Sequence, residues 1–190
     1  MTALEAIAAL FGVVSVYLGT RQNILIWPTG IVNVGLYFLV FFDARLYADA
    51  GLQLVYLALL VYGWWAWLYG GAEHTRLEVA RVRPRAMVWL MLLNVVAWLA
   101  LATTLHRYTN AAIPYLDALL TTTSLVAQWM MTRKLLEAWV VWIAVDAVYV
   151  PTFIWRELYP TALLYAIFLV LAVKGYRDWR ASMEAGVAVA

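Results

Sequence analysis

The stretch Ala138–Trp155, AWVVWIAVDAVYVPTFIW, decides the fold class because it is an apolar run long enough to cross a bilayer. A single carboxylate, Asp146, lies near the middle of this run. At the centre of a membrane helix such a group costs about 2.5–3.5 kcal/mol on insertion scales. Asp146 therefore needs a partner, and the rest of the sequence indicates which kind.

The composition is that of an integral membrane protein. Of the 190 residues, 66% are hydrophobic and 13% are charged, and a soluble domain would carry roughly twice that charged fraction. The net charge of +2 gives no indication of nucleic acid binding, and the absence of cysteine excludes disulfides and thiolate metal sites. The start of the chain has no basic residue or small-residue cleavage site, so we expect the first apolar run to be a membrane span and not a signal peptide. We predict no cofactor and no metal.

Seven apolar runs have the length of transmembrane helices, which need about 20 residues each. They would use nearly the whole sequence. The predicted spans are 3–19, 24–42, 46–69, 86–105, 112–131, 138–156 and 158–178.

The distribution of Lys and Arg predicts the orientation of these spans. The face that receives loops 1–2, 3–4 and 5–6 and the C-terminal tail carries ten of the thirteen basic residues, namely Arg21, Arg76, Arg81, Arg83, Arg85, Arg133, Lys134, Lys174, Arg177 and Arg180. The other face carries Arg45, Arg107 and Arg156. Because cytoplasmic loops are enriched in Lys and Arg, we predict a cytoplasmic C-terminus and an external N-terminus.

Many tryptophans fall near the predicted cytoplasmic ends of their helices. This position is typical of an aromatic belt at the membrane interface, and we expect that explanation to cover most of them. The residues concerned are Trp27, Trp64, Trp65, Trp67, Trp89, Trp139 and Trp179.

The sequence also contains an internal repeat with an offset of 112 positions. Identical residues at this offset include the pairs Thr20/Thr132, Arg21/Arg133, Trp27/Trp139, Tyr37/Tyr149, Phe41/Phe153, Leu46/Leu158, Tyr47/Tyr159, Gly63/Gly175 and Trp67/Trp179, while Glu5 pairs with Asp117. Shared hydrophobicity alone does not account for the recurrence of a Thr-Arg pair, a glycine and several spaced aromatic residues at this offset. We infer that helices 1–3 and 5–7 are two copies of one unit.

A three-helix unit ends on the opposite side of the membrane from its start, so a linker helix is needed for a second copy in the same orientation. We therefore predict an all-α membrane protein with a 3+1+3 arrangement of parallel repeats. The predicted segments are a first repeat at 1–70, a basic loop and linker helix at 71–108, a second repeat at 109–180 and a short tail at 181–190. Transporters built from repeats bind their substrates near the midplane between the halves.

Polar and aromatic residues form stripes at helical spacing on four of the predicted helices. Helix 5 carries Asp117, Thr121, Ser124 and Gln128 on one face. From these stripes we predict that a central substrate site contains Asn33, Tyr37, Gln53, Tyr56, Gln128, Trp142, Asp146 and Tyr149.

Hydrogen bonds between helices are the simpler explanation for polar residues in a membrane protein. We favour it for Asn94, Thr103 and Thr104 on helix 4, and we favour a functional role for Gln53, Gln128 and Asp146. No Lys or Arg occurs at the depth of Asp146, so the missing positive charge could come from a ligand, a proton or a sodium ion. Aromatic rings beside a carboxylate and amides suit a flat cationic solute, since aromatic faces attract cations. This combination favours a vitamin-like or nucleoside-like substrate.

The same residues resemble those of the PnuC family of nicotinamide riboside transporters, which is distantly related to the SWEET sugar transporters. The resemblance runs from about residue 3 to residue 180 and is strongest in the segments LYADAGLQ, YGWWAW and MTRKLLEAWVVW. It implies a 3+1+3 fold in a bacterial inner membrane, facilitated diffusion of substrate by alternating access, and a homotrimeric assembly. It also places Gln53 at a substrate-contacting position and Trp142 one turn from another.

Asp146 departs from the family pattern, in which a W-x-x-x-N motif has Asn at this position. The departure leaves the substrate open, because relatives in this family carry thiamine, riboflavin or deoxynucleosides. Nicotinamide riboside and thiamine are both cationic, so an additional carboxylate suits either one.

Two other classes of membrane protein are less consistent with the sequence. For a membrane-embedded enzyme, Asp49, Asp117 and Asp146 would be the candidate acids, but there is no H-E-x-x-H motif, and we expect His74 in the basic 3–4 loop and His106 at the outer end of helix 4. A receptor would need a signalling domain, which the segment after Arg180 is too short to form. We therefore predict a transporter and not an enzyme.

Overall fold

The computed structural model describes residues 3–109 and 112–187. This part of the chain forms seven α-helices and one 3₁₀ turn, Ala72–His74. The helices are α1 (Ala3–Thr20), α2 (Ile26–Asp43), α3 (Tyr47–Tyr69), α4 (Pro84–Tyr108), α5 (Pro114–Thr132), α6 (Glu137–Trp155) and α7 (Tyr159–Val187).

Most helix boundaries agree with the predicted spans to within about three residues. The exception is the end of α7, which continues to Val187, whereas the predicted span stops at 178 and the predicted tail begins at 181. An ion pair between Arg180 and Glu184, one turn apart, lies on this extension. A solvated helix of this kind need not end where the apolar run ends. Residues 188–190 of the predicted tail lie outside the described residues.

Six helices of the described chain are long and apolar enough to span a membrane, which makes this a multi-pass membrane protein. The other helix, α5, is long enough but contains the polar run Thr121–Ser124. It is also extensively buried, with Thr122, Ser124 and Thr132 among its buried residues. Because α5 faces protein along much of its length, its polar residues need not contact lipid.

Packing between the helices closes a ring. Helix α1 packs against α2, and α2 packs against α3. Helix α3 packs against α5, α5 against α6 and α6 against α7, and α7 packs against α1 to complete the ring. Helix α4 packs against α5 beside this ring and exposes much of its apolar surface, including Trp89 and Leu93.

The connections between helices show the same backbone geometry at the 112-residue offset. Gln22 and Lys134, which follow α1 and α5, have positive φ angles of 52° and 54°. Arg45 and Glu157, which follow α2 and α6, have φ angles of 58° and 60°. Non-glycine residues rarely adopt this conformation. Its recurrence at positions that the sequence repeat pairs indicates that the paired connections have the same backbone conformation.

The buried core at the basic end of the ring contains four tryptophans, Trp27, Trp67, Trp139 and Trp179, here called the tryptophan quartet. The prediction of an interfacial belt is wrong for these four residues, because all of them are buried. Trp64, Trp65 and Trp89, in contrast, are exposed as a belt requires.

Two glycines make room for the quartet. A methyl group at Gly63 would lie 2.2 Å from the Trp27 ring, and one at Gly175 would lie 2.6 Å from the Trp139 ring. Trp27 meets Trp67 edge to face at a centroid distance of 5.2 Å, and Trp139 meets Trp179 in the same way at 5.5 Å.

An extended segment between α3 and α4, residues 75–83 (the strap), crosses the basic end of the molecule. The Leu77 N–H donates to the carbonyl of Trp67 at 3.1 Å. Further along, Ala80 donates to the Lys134 carbonyl at 3.2 Å and accepts from the Leu136 N–H at 2.9 Å. The strap therefore joins the end of α3 to the connection between α5 and α6.

Candidate functional site

Asp146 lies on α6 with only 2% of its surface exposed. Its carboxylate makes no hydrogen bond and no ion pair with any residue that the structure describes. Buried charges in membrane proteins normally have partners or face a water-filled cavity. Asp146 is thus a buried acid whose partner is not supplied by the described part of the chain.

Aromatic rings surround the position one turn after Asp146. Tyr149 stacks on Phe153 with a centroid distance of 5.3 Å and an interplanar angle of 7°. It also lies 4.6 Å from Tyr165 of α7, whose ring contacts Phe153 at 5.0 Å and Phe168 at 5.7 Å.

Ser124 of α5 connects this aromatic group to α3. The side chains of Tyr56 and Tyr149 both lie close enough to the buried Ser124 side chain to interact with it. Tyr165 is close enough to interact electrostatically with Tyr37, Tyr56, Tyr149 and Asp146. Five helices of the ring therefore contribute to one site, which we call the central cluster and which consists of Tyr37, Tyr56, Ser124, Asp146, Tyr149 and Tyr165.

The structure brings four of the eight predicted site residues together in the central cluster, namely Tyr37, Tyr56, Asp146 and Tyr149. Trp142, one turn before Asp146, packs against the buried core that contains the quartet. Gln53 and Gln128 are half-buried, and neither side chain hydrogen-bonds to a described residue.

Asn33 has a structural contact. Its Nδ2 donates to the carbonyl of Ala8 at 2.7 Å and so connects α2 to α1. This hydrogen bond uses one of the two amide hydrogens, and the rest of the amide group keeps its capacity to bind.

Two residues of the central cluster, Ser124 and Tyr165, were not among the predicted site residues. Ser124 lies on the polar stripe of α5, so the helical spacing could have selected it. Tyr165 lies on α7, for which no polar stripe is predicted from the sequence, but the repeat pairs it with Gln53 at the 112-residue offset. Applying the repeat to the predicted site would have identified it.

The polar residues of α4 behave in two ways. Asn94 donates to Thr123 of α5 at 3.1 Å, which confirms the predicted hydrogen bond between helices. Thr103 and Thr104 donate to carbonyls of their own helix, at Leu99 and Ala100. The prediction of contacts between helices is therefore wrong for these two threonines, because threonine can satisfy its hydroxyl within a helix.

Comparison with known proteins places this arrangement in context. Residues 2–181 match the family model described as nicotinamide mononucleotide transporter. The chain is 26% identical to the nicotinamide riboside transporter PnuC of Escherichia coli (strain K12), over 93% of this chain and 84% of that protein. It is also 26% identical to the riboflavin/roseoflavin transporter RibM of Streptomyces davaonensis, over 92% of this chain and 83% of that protein.

The fold resembles a solved structure as well. The crystal structure of the vitamin B3 transporter PnuC superposes with a TM-score of 0.75 at 25% sequence identity, covering 94% of this chain and 80% of that one.

Proposed function

This chain belongs to the nicotinamide mononucleotide transporter family, and on that premise we propose that it carries nicotinamide riboside across a membrane. Its similarity to nicotinamide riboside transporters over more than nine-tenths of its length supports a transporter and not an enzyme.

The observation that carries the choice of substrate is the unpartnered carboxylate of Asp146. A cationic pyridinium ring would supply the missing charge, and the rings of Tyr149 and Tyr165 would offer it aromatic faces. The Ser124 and tyrosine hydroxyls, with Gln53 and Gln128 nearby in the ring, suit the hydroxyls of a ribose. We propose the predicted site residues and the two additions as the substrate-binding set.

The proposed architecture is the 3+1+3 arrangement, with two parallel repeats around a central path and α4 as the linker. The paired φ angles, the paired Trp–Gly contacts and the closed ring support it. We propose that the basic end is cytoplasmic, as the excess of Lys and Arg there favours. Alternating access would then open the ring first at one end and then at the other.

We propose facilitated diffusion as the energetics. Sodium-coupled transporters commonly use interrupted helices whose freed carbonyls bind the ion. The membrane helices in residues 3–109 and 112–187 are each continuous.

A bacterial inner membrane and a homotrimer complete the proposal. The exposed apolar face of α4, with Trp89 71% exposed, provides surface for lipid or for other subunits.

Riboflavin is the second candidate substrate, because the relative RibM transports it and the stacked rings suit any flat heterocycle. Thiamine shares the positive charge that Asp146 favours. Deoxynucleosides share only the sugar hydroxyls and the flat base.

Uptake by the purified protein in liposomes tests these proposals together. We expect saturable uptake of nicotinamide riboside that stops at equal concentrations and does not require a sodium or proton gradient. Riboflavin, thiamine and a deoxynucleoside serve as competitors. Stronger competition by one of them than by unlabelled nicotinamide riboside would reassign the substrate, and accumulation abolished by collapsing one ion gradient would contradict facilitated diffusion.

A further inference from the structure

A cavity lies at the basic end of the molecule, away from the central cluster. Its volume is about 420 Å³. The lining residues come from the α1–α2 connection, the end of α3, the strap and the α5–α6 connection, and they are Arg21, Gln22, Asn23, Ile24, Trp67, Leu68, Arg76 and Lys134.

Three cationic side chains line this cavity, and none of them forms an ion pair within the described part of the chain. Lys134 is the most enclosed, with 9% of its surface exposed. Its ammonium group lies 4.8 Å from the centre of a Trp67 ring and donates to the Leu77 carbonyl at 2.9 Å. Glu78 on the strap interacts with it electrostatically at longer range, whereas Arg76 opposes its charge. Burial lowers the pKa of the Lys134 ammonium, so this cation lacks sufficient compensation from the protein.

The cavity occupies a position where the two halves of the chain differ. In the second half, the strap covers the backbone of the α5–α6 connection, and the Leu136 N–H donates to Ala80. The residue paired with Leu136 in the first half is Ile24, whose N–H has no acceptor among the described residues. Ile24 lines the cavity. The cavity therefore lies beside the α1–α2 connection, where no extended segment pairs with the backbone as the strap pairs with the α5–α6 connection.

We propose that this cavity binds a phosphate-bearing anion. Arg21 and Arg76 offer guanidinium groups that can hold phosphate oxygens in bidentate geometry, and Lys134 adds a point charge. The Ile24 N–H provides a backbone donor of the kind that phosphate groups use in proteins. An anion bound here would give Arg21, Arg76 and the Ile24 N–H an acceptor and would compensate the buried Lys134 ammonium. Asn23 and Gln22 each already use one side-chain atom in a hydrogen bond, since Asn23 Oδ1 accepts from the Leu25 N–H and Gln22 Nε2 donates to Ser182.

Two sources could supply the phosphate. One is a soluble phosphate compound, which would reach the cavity from the aqueous side. The other is the headgroup of an anionic lipid, since basic pockets at the cytoplasmic ends of membrane helices hold such headgroups. The chemistry at the protein is the same in both cases, so the experiment has one arm for each.

The soluble arm measures the binding of inorganic pyrophosphate to the full chain in dodecyl maltoside, a detergent without phosphate, by isothermal titration calorimetry. The lipid arm measures the retention of phosphatidylglycerol against phosphatidylcholine by native mass spectrometry. Both arms compare wild type with Arg21→Gln and Lys134→Gln, and Arg133→Gln is the matched control. Arg133 is the repeat partner of Arg21 and contacts Tyr62, but it does not line the cavity.

We expect both cavity variants to weaken binding by about tenfold or more and the control to change it less than twofold, because charged hydrogen bonds contribute strongly to affinity. Pyrophosphate binding with this pattern would identify a soluble ligand, and phosphatidylglycerol retention with this pattern and no pyrophosphate binding would identify a headgroup. No specific binding in either arm, or equal weakening by Arg133→Gln, would overturn the proposal.

Gln is suited to position 134 because Gln22 has nearly the same positive φ. If Lys134→Gln fails to fold, the exposed Arg21 decides the result. Neither arm depends on transport, so a failure here leaves the central site untouched.

Discussion

Trp67 and Trp179 pack against each other with their ring centroids 5.7 Å apart, and each donates its indole hydrogen to the opposite half of the chain. Trp67 donates to the Met131 carbonyl at 3.0 Å, and Trp179 donates to the Gly19 carbonyl at 2.9 Å. Gly19 and Met131 are themselves 112 positions apart. The two halves thus exchange equivalent hydrogen bonds through the same pair of rings.

Trp67→Phe and Trp179→Phe should each destabilise the protein, because each removes a buried hydrogen bond between the two halves of the chain. We expect a loss of about 0.5–1.5 kcal/mol from the hydrogen bond, in addition to the loss from the smaller ring. Thermal unfolding in detergent measures the effect. Trp27→Phe and Trp139→Phe are the controls, since their buried indole N–H groups have no partner among the described residues and only the ring size changes. Equal losses for all four variants would contradict the role of the exchanged hydrogen bonds.

Gly63→Ala and Gly175→Ala should lower the melting temperature. The added methyl groups would collide with the buried rings of Trp27 and Trp139, and overpacking of this kind typically costs about 1–3 kcal/mol. A methyl group at Gly35 or at Gly51 would meet no heavy atom within 4 Å. Gly35→Ala and Gly51→Ala should therefore leave the melting temperature unchanged or slightly higher, since alanine favours helix.

Asp146→Asn should weaken the binding of a cationic substrate by about tenfold or more, because it removes the charge and keeps the shape of the side chain. Equilibrium binding of nicotinamide riboside to the purified variant measures this effect. A neutral analogue of similar shape, such as one with a reduced and uncharged ring, should be affected far less.

The contrast between the two ligands distinguishes a substrate partner from a structural acid. If Asp146 only stabilised the packing of helices, the substitution would change thermal stability and leave both affinities nearly equal to those of wild type. The same loss for charged and neutral ligands would also contradict the pairing.

Lys134→Gln should change how stability depends on pH. Because burial lowers the pKa of Lys134 below its ordinary value of 10.5, the unfolded chain binds more protons between the lowered value and 10.5. Stability of the wild type should therefore rise with pH across this window relative to the variant. The nearby Glu78 and Arg76 are present in both proteins, so the difference in melting temperature between the two isolates Lys134. A difference that falls with rising pH would contradict the assigned direction.

The positions of the helices were predictable because charged residues lie at the ends of the apolar runs. The spans predicted at 24–42 and 138–156 differ from α2 and α6 by one or two residues at each end. The end of α7 was not predictable from hydropathy, since a helix stabilised by pairs such as Arg180–Glu184 continues beyond the apolar run.

The environment of the tryptophans could not be read from their depth in the membrane. Depth along the helix axis is the same for a ring that faces lipid and for one that faces another helix. The information lay in the repeat, which pairs Gly63 with Gly175 as well as Trp27 with Trp139. A small residue that recurs with a large one indicates close packing between them.

The candidate site was partly predictable from the helical spacing of its polar and aromatic residues. Helical spacing placed Asp146 and Tyr149 on one face, and the structure brings both into the central cluster. Asn33 shared the same polar character, but its contact with Ala8 depends on the crossing of α1 and α2, which the sequence pattern does not contain.

The polarity of α5 has a consequence for how the protein is made. A segment with three threonines and a serine in succession partitions weakly into lipid by itself. The helix synthesised just before it, α4, contains a strongly apolar stretch and offers α5 two ready contacts, from Asn94 to Thr123 and from Trp98 to the Tyr115 carbonyl. We therefore expect α4 to leave the translocon first and to hold α5 in the bilayer as the second arm of a hairpin. Substitutions that make α4 less apolar or remove its contacts with α5 should then cause α5 to fail to insert into the membrane during biogenesis.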